Sequence, residues 1–237
     1  MIGRRRLSLL QIGCCALILV CGGASASWPD GIDVEALRHP WHRQHVHSLE
    51  VGRYPVRWRQ AVSRAEGLKV GVRFTAPLPR QQVWTLTTDY RDVGQMTPGI
   101  VRIHVTEESP QRQVIEMDVK VLWKRLRLVF EVEQDPPREI RFRWRDAHIG
   151  ELRGLCVLEE SSSPDEANGT LIEFSTWFRP FRPVPLGLLT VVERTALLQS
   201  VKQFLKACEA QGTHAVTAQG QREGFVEAQS AAQQPSK

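Results

Sequence analysis

Four histidines, His39, His42, His45 and His47, crowd one short stretch and are the residues whose spacing first suggests chemistry. Imidazoles this close together are common ligands of zinc and copper. Pro40 interrupts the cluster, and no Cys, Asp or Glu follows at a ligand-like interval until Glu50, so the spacing matches no metal motif. The expectation is a solvated, mildly basic segment without a metal. Asp89, in Thr88-Asp89-Tyr90, is a candidate general acid or base. No His, Lys or second carboxylate stands with it in its motif, and an Asp near a helix end more often caps or pairs with backbone amides. His104 and His148 stand alone on or beside strand-like segments, where a structural role is expected. Beyond residue 26 there is no G-x-S-x-G, H-E-x-x-H, phosphate loop or C-x-x-C, so no short motif supplies a nucleophile or a metal, and no cofactor is expected.

A second chemical pattern lies in residues 140–145, where Arg141, Arg143 and Arg145 alternate with Phe142 and Trp144. Aromatics among arginines suggest stacking on a single-stranded nucleic acid. Strand geometry opposes this, because successive side chains point to opposite faces and the two sets cannot meet the same ligand. The arginines are expected to form a solvated outer face, and no nucleic acid is expected as a partner.

The elements that hold these residues follow from periodicity. Leu68, Val70, Val72 and Phe74 alternate with Lys69, Gly71 and Arg73, a half-buried strand that Pro77 and Pro79 end. Val83, Leu86 and Tyr90 then fall at helical spacing. Leu126, Leu128, Phe130 and Val132 share one strand face, as do Ile140, Phe142 and Trp144, and residues 114–121, 151–160 and 170–178 read as further strands. Pro136-Pro137 and 161–169 mark turns, and Asn168-Gly169-Thr170, formally a glycosylation acceptor, reads as a hairpin turn. After Pro180, Pro183 and Pro185, the residues Leu188, Val191, Thr195, Leu198, Val201 and Leu205 mark one stripe of a long helix ending near Ala210.

The ends differ from this core. Arg4 to Arg6, the apolar run Leu7 to Cys21 and Ala24-Ser25-Ala26 read as a secretory signal peptide cleaved before Ser27, giving an exported, periplasmic protein. Its loss removes three arginines and no acid, so the net charge falls from +5 to +2 and argues little for a polyanionic partner. Cys14, Cys15 and Cys21 leave with it. The remaining Cys156 and Cys208 invite a disulfide in an oxidising compartment. Against that stands the reading of two separate buried thiols that never meet. Residues 27–66 form an N-terminal extension in which Val51 to Arg59 is an extra strand or a hinge, and residues 212–237 are too poor in apolar content to fold.

The run Val83, Trp84, Thr88, Asp89, Tyr90, Pro98 and Gly99 resembles the motif of the START-like, or SRPBCC, superfamily of polyketide cyclase/dehydrase and coenzyme Q-binding domains, with Thr87 where that family usually carries Leu. The resemblance covers roughly residues 67–211. It implies an α+β helix-grip fold: a curved antiparallel sheet of about seven strands wrapped around a long C-terminal helix, with two short helices after the first strand. It also implies an internal cavity for an apolar molecule, lined here by Met117, Phe130, Phe142, Trp144, Phe174, Leu188 and Val192. The expected partner is an apolar small molecule, lipid or quinone, with transient membrane contact left open. Carriage without catalysis is the leading reading. The alternatives are a cyclase/dehydrase-type enzyme on a hydrophobic substrate and an envelope interaction module without a ligand.

Overall fold

The computed structural model describes residues 34, 37–38, 46–63, 67–90, 100–109, 111–121, 124–161, 169–181, 194–195 and 197–212. Nine strands form one antiparallel sheet: β1 Val46–Val51, β2 Tyr54–Ser63, β3 Gly67–Ala76, β4 Ile100–Glu108, β5 Arg112–Val121, β6 Lys124–Asp135, β7 Glu139–Asp146, β8 Gly150–Glu160 and β9 Thr170–Pro180. Their spatial order is β1-β2-β3-β9-β8-β7-β6-β5-β4. The closing pair, β3 with β9, joins the start and end of the domain from Leu68 opposite Phe178 to Ala76 opposite Thr170. Nine strands replace the expected seven because the N-terminal extension contributes β1 and β2, paired from Val46 opposite Arg59 to Val51 opposite Tyr54. Gly52, at φ +66°, makes the turn between them, a backbone state open to glycine at little cost. At the far end of β2–β3, Gly67 sits at φ +84°, where a Cβ would overlap the carbonyl oxygen of Phe178.

Helix α1, Arg80–Thr88, follows Pro79, whose carbonyl accepts from the amides of Gln82 and Val83. Three threonines sit in its C-terminal half, and the hydroxyls of Thr85, Thr87 and Thr88 donate to carbonyls one turn back. That bonding lets Thr87 be fully buried where the related motif carries Leu. Asp89 closes the helix, its amide donating to the Thr85 carbonyl at 3.2 Å. The second short helix expected after α1 falls on residues outside those described.

Alternation gives the sheet two unlike faces. The concave face carries Leu68, Val72 and Phe74 from β3, Phe130 and Val132 from β6, Phe142 and Trp144 from β7, and Phe174 from β9, in one continuous cluster. Helix α2, residues 197–212, crosses it with Leu197, Val201, Phe204, Leu205 and Cys208 buried. The ring of Phe204 meets that of Phe74 edge-on at 6.1 Å. The expected stripe is thus turned slightly: Val201 and Leu205 face inward, Thr195 is exposed, and Leu197 rather than Leu198 is buried. At the free edge, β4 departs from a straight ladder at two points, between Ile100 and Arg102 and between Val105 and Glu107.

The convex face is charged but not simply solvated. Glu131 accepts from Arg143 at 2.6 Å and from Arg112 at 2.9 Å, and Arg143 is only 7% exposed. Arg141 donates to Glu139 at 2.5 Å, and the exposed Arg145 lies over the Phe181 ring. The expected solvated arginine face therefore holds for Arg145 and fails at Arg143, because cross-strand glutamates and neighbouring side chains close over that guanidinium. Part of this face is also covered by the N-terminal extension. Val34 and Leu37 pack on Leu155, with Val157 and Trp177 beside them. Arg38 reaches Glu139 at 2.5 Å.

Candidate functional site

The apolar cup between the sheet and α2 is where five of the seven expected cavity residues meet. Met117, Phe130, Phe142, Trp144 and Phe174 are all buried in the same cluster, while Leu188 and Val192 lie outside the described residues. Register brings them together: Met117 stands opposite Leu128, Phe130 opposite Trp144, and Phe174 opposite Cys156. The ring of Phe142 stacks on Phe174 at 5.9 Å and meets Phe130 edge-on at 6.5 Å. Its cross-strand partner is Gly154, where an added Cβ would overlap the ring. A strand glycine here clears the space the aromatic fills.

The packing loosens toward β4. Ile103 and Val105, on the concave face opposite Met117 and Ile115, are only partly buried, although both pack against the core. The expected lining did not include them. Their signal was the alternation Ile103-His104-Val105, which places His104 on the opposite, exposed side.

Titratable groups are few inside the cup. Tyr90 is buried, accepts a hydrogen bond from Gln134 at 3.0 Å, and is pushed above the ordinary phenol value by burial. Burial, with a smaller effect from Glu139, pushes the Cys156 thiol up to about 12, and burial also raises Cys208. Both cysteines are free thiols, so the disulfide is not formed. Thiols raised in this way are poor nucleophiles at neutral pH. Among the described residues no group of three or more His, Cys, Asp or Glu is placed to hold a metal. His39, His42 and His45 lie outside those residues, and His47 stacks on Trp58 at 4.6 Å.

A separate depression of about 290 Å³ opens near the β6–β7 turn, lined by Gln111, Glu133, Gln134, Asp135, Glu139 and Arg141. Its chemistry is polar and distinct from the cup. Burial alone would raise the Glu139 carboxyl, but hydrogen bonds from Arg141 and Arg38, with their charges, outweigh it and lower the net value. A carboxylate lowered in the folded state stabilises that state fully above its ordinary pKa and loses the contribution as pH falls through the folded value. Glu139→Gln should therefore flatten the acid limb of stability, read from urea unfolding at stepped pH below the ordinary carboxylate range. An unchanged slope would remove Glu139 from the acid response.

The sheet order, the α1 position and the helix laid in the cup can be compared with known proteins. The profile of the family described as polyketide cyclase / dehydrase and lipid transport matches residues 76–205, more than half of the chain. The chain belongs to this family. Strands β1 and β2 and almost all of β3 precede the matched span. In fold the chain is similar to the Zhui aromatase/cyclase from a Streptomyces species, at 18% identity over 60% of this chain and 93% of that one, with a TM-score of 0.51. It is also similar to a STAR-related lipid transfer protein from Xanthomonas axonopodis, at 14% identity over 68% and 98% of the two chains, with a TM-score of 0.49. At these identities the likeness is one of fold. No curated protein matches the sequence. Among the described residues no helix is long and apolar enough to cross a membrane.

Proposed function

We propose that this protein binds and carries an apolar molecule, a lipid or quinone, between its sheet and helix α2, and that it does so after export. Family membership supports an apolar ligand or cyclase-type chemistry on one. The observation that carries the reading is the loosening of the concave face at β4, where Ile103 and Val105 stay half-exposed beside the buried apolar cluster. Ligand pockets are mostly apolar and largely preformed, and this rim offers apolar surface next to an apolar interior. The tight contact among Phe130, Phe142 and Phe174 makes those rings the floor, and the ligand sits toward Met117, Ile103 and Val105. Carriage is favoured over covalent turnover by the two thiols buried in the described cup, Cys156 and Cys208, which burial keeps from becoming thiolate nucleophiles. Export rests on the leader, Met1 to Ala26.

Native mass spectrometry of the protein recovered from the periplasm tests both parts at once. The expected species begins at Ser27 and carries an apolar adduct that organic extraction removes. In titrations, a fluorescent fatty acid or quinone analogue should bind and quench tryptophan emission. Ile103→Arg, at the half-exposed rim and with folding checked by circular dichroism, should weaken that binding about tenfold, or about 1.4 kcal/mol. A folded protein that binds no member of an apolar panel and carries no adduct would end the carrier reading. Conversion of a polyketide-like substrate would replace it with a cyclase.

A further inference from the structure

The hairpin β1–β2 makes contacts near both ends of the described helical stretch from Arg194 to Gly212. At one end the guanidinium carbon of Arg194 lies 4.8 Å from the centre of the Trp58 ring. His47, opposite Trp58 in the β1–β2 register, stacks on that same ring. At the other end the Tyr54 hydroxyl donates to Glu209 at 3.1 Å, and Arg53 both lies 3.3 Å from that carboxylate and donates to the Tyr54 oxygen at 3.0 Å. Val56 and Trp58 between them are buried, and Leu49, Val51 and Tyr54, partly buried like Ile103 and Val105, pack against the core. Arg194 and Glu209 are about 22 Å apart along a helix at about 1.5 Å per residue, so the two contacts are spread over most of that described stretch.

The opposite rim is built differently. The described polar contacts of β4 side chains run sideways into β5, from Arg102 to Asp118 at 3.1 Å and from Thr106 to the Val114 carbonyl at 3.2 Å. Ile103 and Val105 there are half-buried and carry no polar tie.

We propose that hairpin β1–β2 is a latch that pins α2 along one rim, so that an apolar ligand exchanges through the other rim, beside Ile103 and Val105. The ligand half of this inference rests on the carrier reading above. Swinging α2 outward at the hairpin would break the Arg194–Trp58 and Tyr54–Glu209 contacts together and expose Trp58 and Val56 to water. Among the described residues, passage at β4 meets aliphatic side chains and no polar tie to α2. Tyr54, Arg53 and Arg194 act here as positioning residues, because none of them reaches the floor of the cup.

The test combines Arg53→Gln, Tyr54→Phe and Arg194→Gln in the full mature chain, leaving Trp58 in place so that the core survives. Arg127→Gln, which breaks the Arg127–Glu116 pair between β6 and β5 on the other side of the sheet, is the control for general destabilisation. In ligand-free protein, amide hydrogen exchange across residues 197–212 should be about tenfold faster in the triple variant and unchanged in the control. Release of dansyl-labelled undecanoic acid, followed by stopped flow, should be about fivefold faster in the triple variant, because a second route has opened. Ile103→Trp in the original protein should slow release. Unchanged helix exchange in the triple variant overturns the latch. Faster exchange with unchanged release, or an Ile103→Trp variant that releases as before, overturns the assigned route. Should the probe bind no variant at all, the carrier reading falls while the hydrogen-exchange comparison still decides the latch.

Discussion

Replacing Phe142 with alanine is expected to cost about 3–5 kcal/mol, the range for deleting a fully buried aromatic whose surroundings cannot collapse. Three features hold the cavity open. Phe174 is stacked on one side, Phe130 stands edge-on at another, and Gly154 beneath has no side chain to move inward. The same geometry predicts an unusual sign for a double variant. Gly154→Ala alone should destabilise by about 1–3 kcal/mol, since its methyl would overlap the ring and overpacking carries that cost. Added to Phe142→Ala it should recover stability, because the methyl then enters the vacated space. Urea unfolding of the four proteins of this cycle gives the coupling directly. Additive losses would mean that the ring and the glycine do not share one volume.

Arg59→Met should cost roughly 3 kcal/mol and free the N-terminal extension from the convex face. The Arg59 guanidinium is 5% exposed on β2, donates to the Leu37 carbonyl at 3.1 Å and to Ser175 at 3.3 Å, and lies 3.7 Å from the Glu173 carboxylate. Burial lowers its pKa and Glu173 opposes that, so the charge is desolvated but compensated. Gly71 leaves the room, since a Cβ there would come 2.8 Å from the Arg59 Nε. Without the guanidinium, a buried carbonyl and a serine hydroxyl lose their donor, and the segment keeps only the contacts of Val34 and Leu37 with Leu155 and the Arg38–Glu139 pair among those described. Limited trypsin digestion should then cut after Arg38 much faster than in the original protein, with the sheet intact by circular dichroism. Equal cutting rates would show that the apolar contacts suffice.

Much of the sheet was legible because its two faces differ in solvation. Phe142 against Arg143, and Leu128 against Arg127, alternate so cleanly that facing followed from the period alone. The hairpin was legible only as a strand or a hinge, since Val46–Val51 mixes His47, Ser48 and Glu50 into a weak alternation and gains its order from pairing with β2. Arg143 shows the opposite limit. Its face was readable, but its burial depends on Glu131 arriving from β6, a tertiary fact that no local pattern encodes. Phe130, Phe142, Trp144 and Phe174 share one buried cluster because their alternation puts them on the same face, whereas the half-exposed rim at Ile103 and Val105 depends on which strand ends the sheet. Edge position is a property of topology rather than of composition.

The docking of Val34 and Leu37 on the convex side has a practical reading for anyone attaching something to this protein. Whatever is joined ahead of Val34, whether dye, bead or fusion partner, starts its path on the face turned away from α2. Tethered by that end to a surface, the molecule would present its helix and its β4 rim outward.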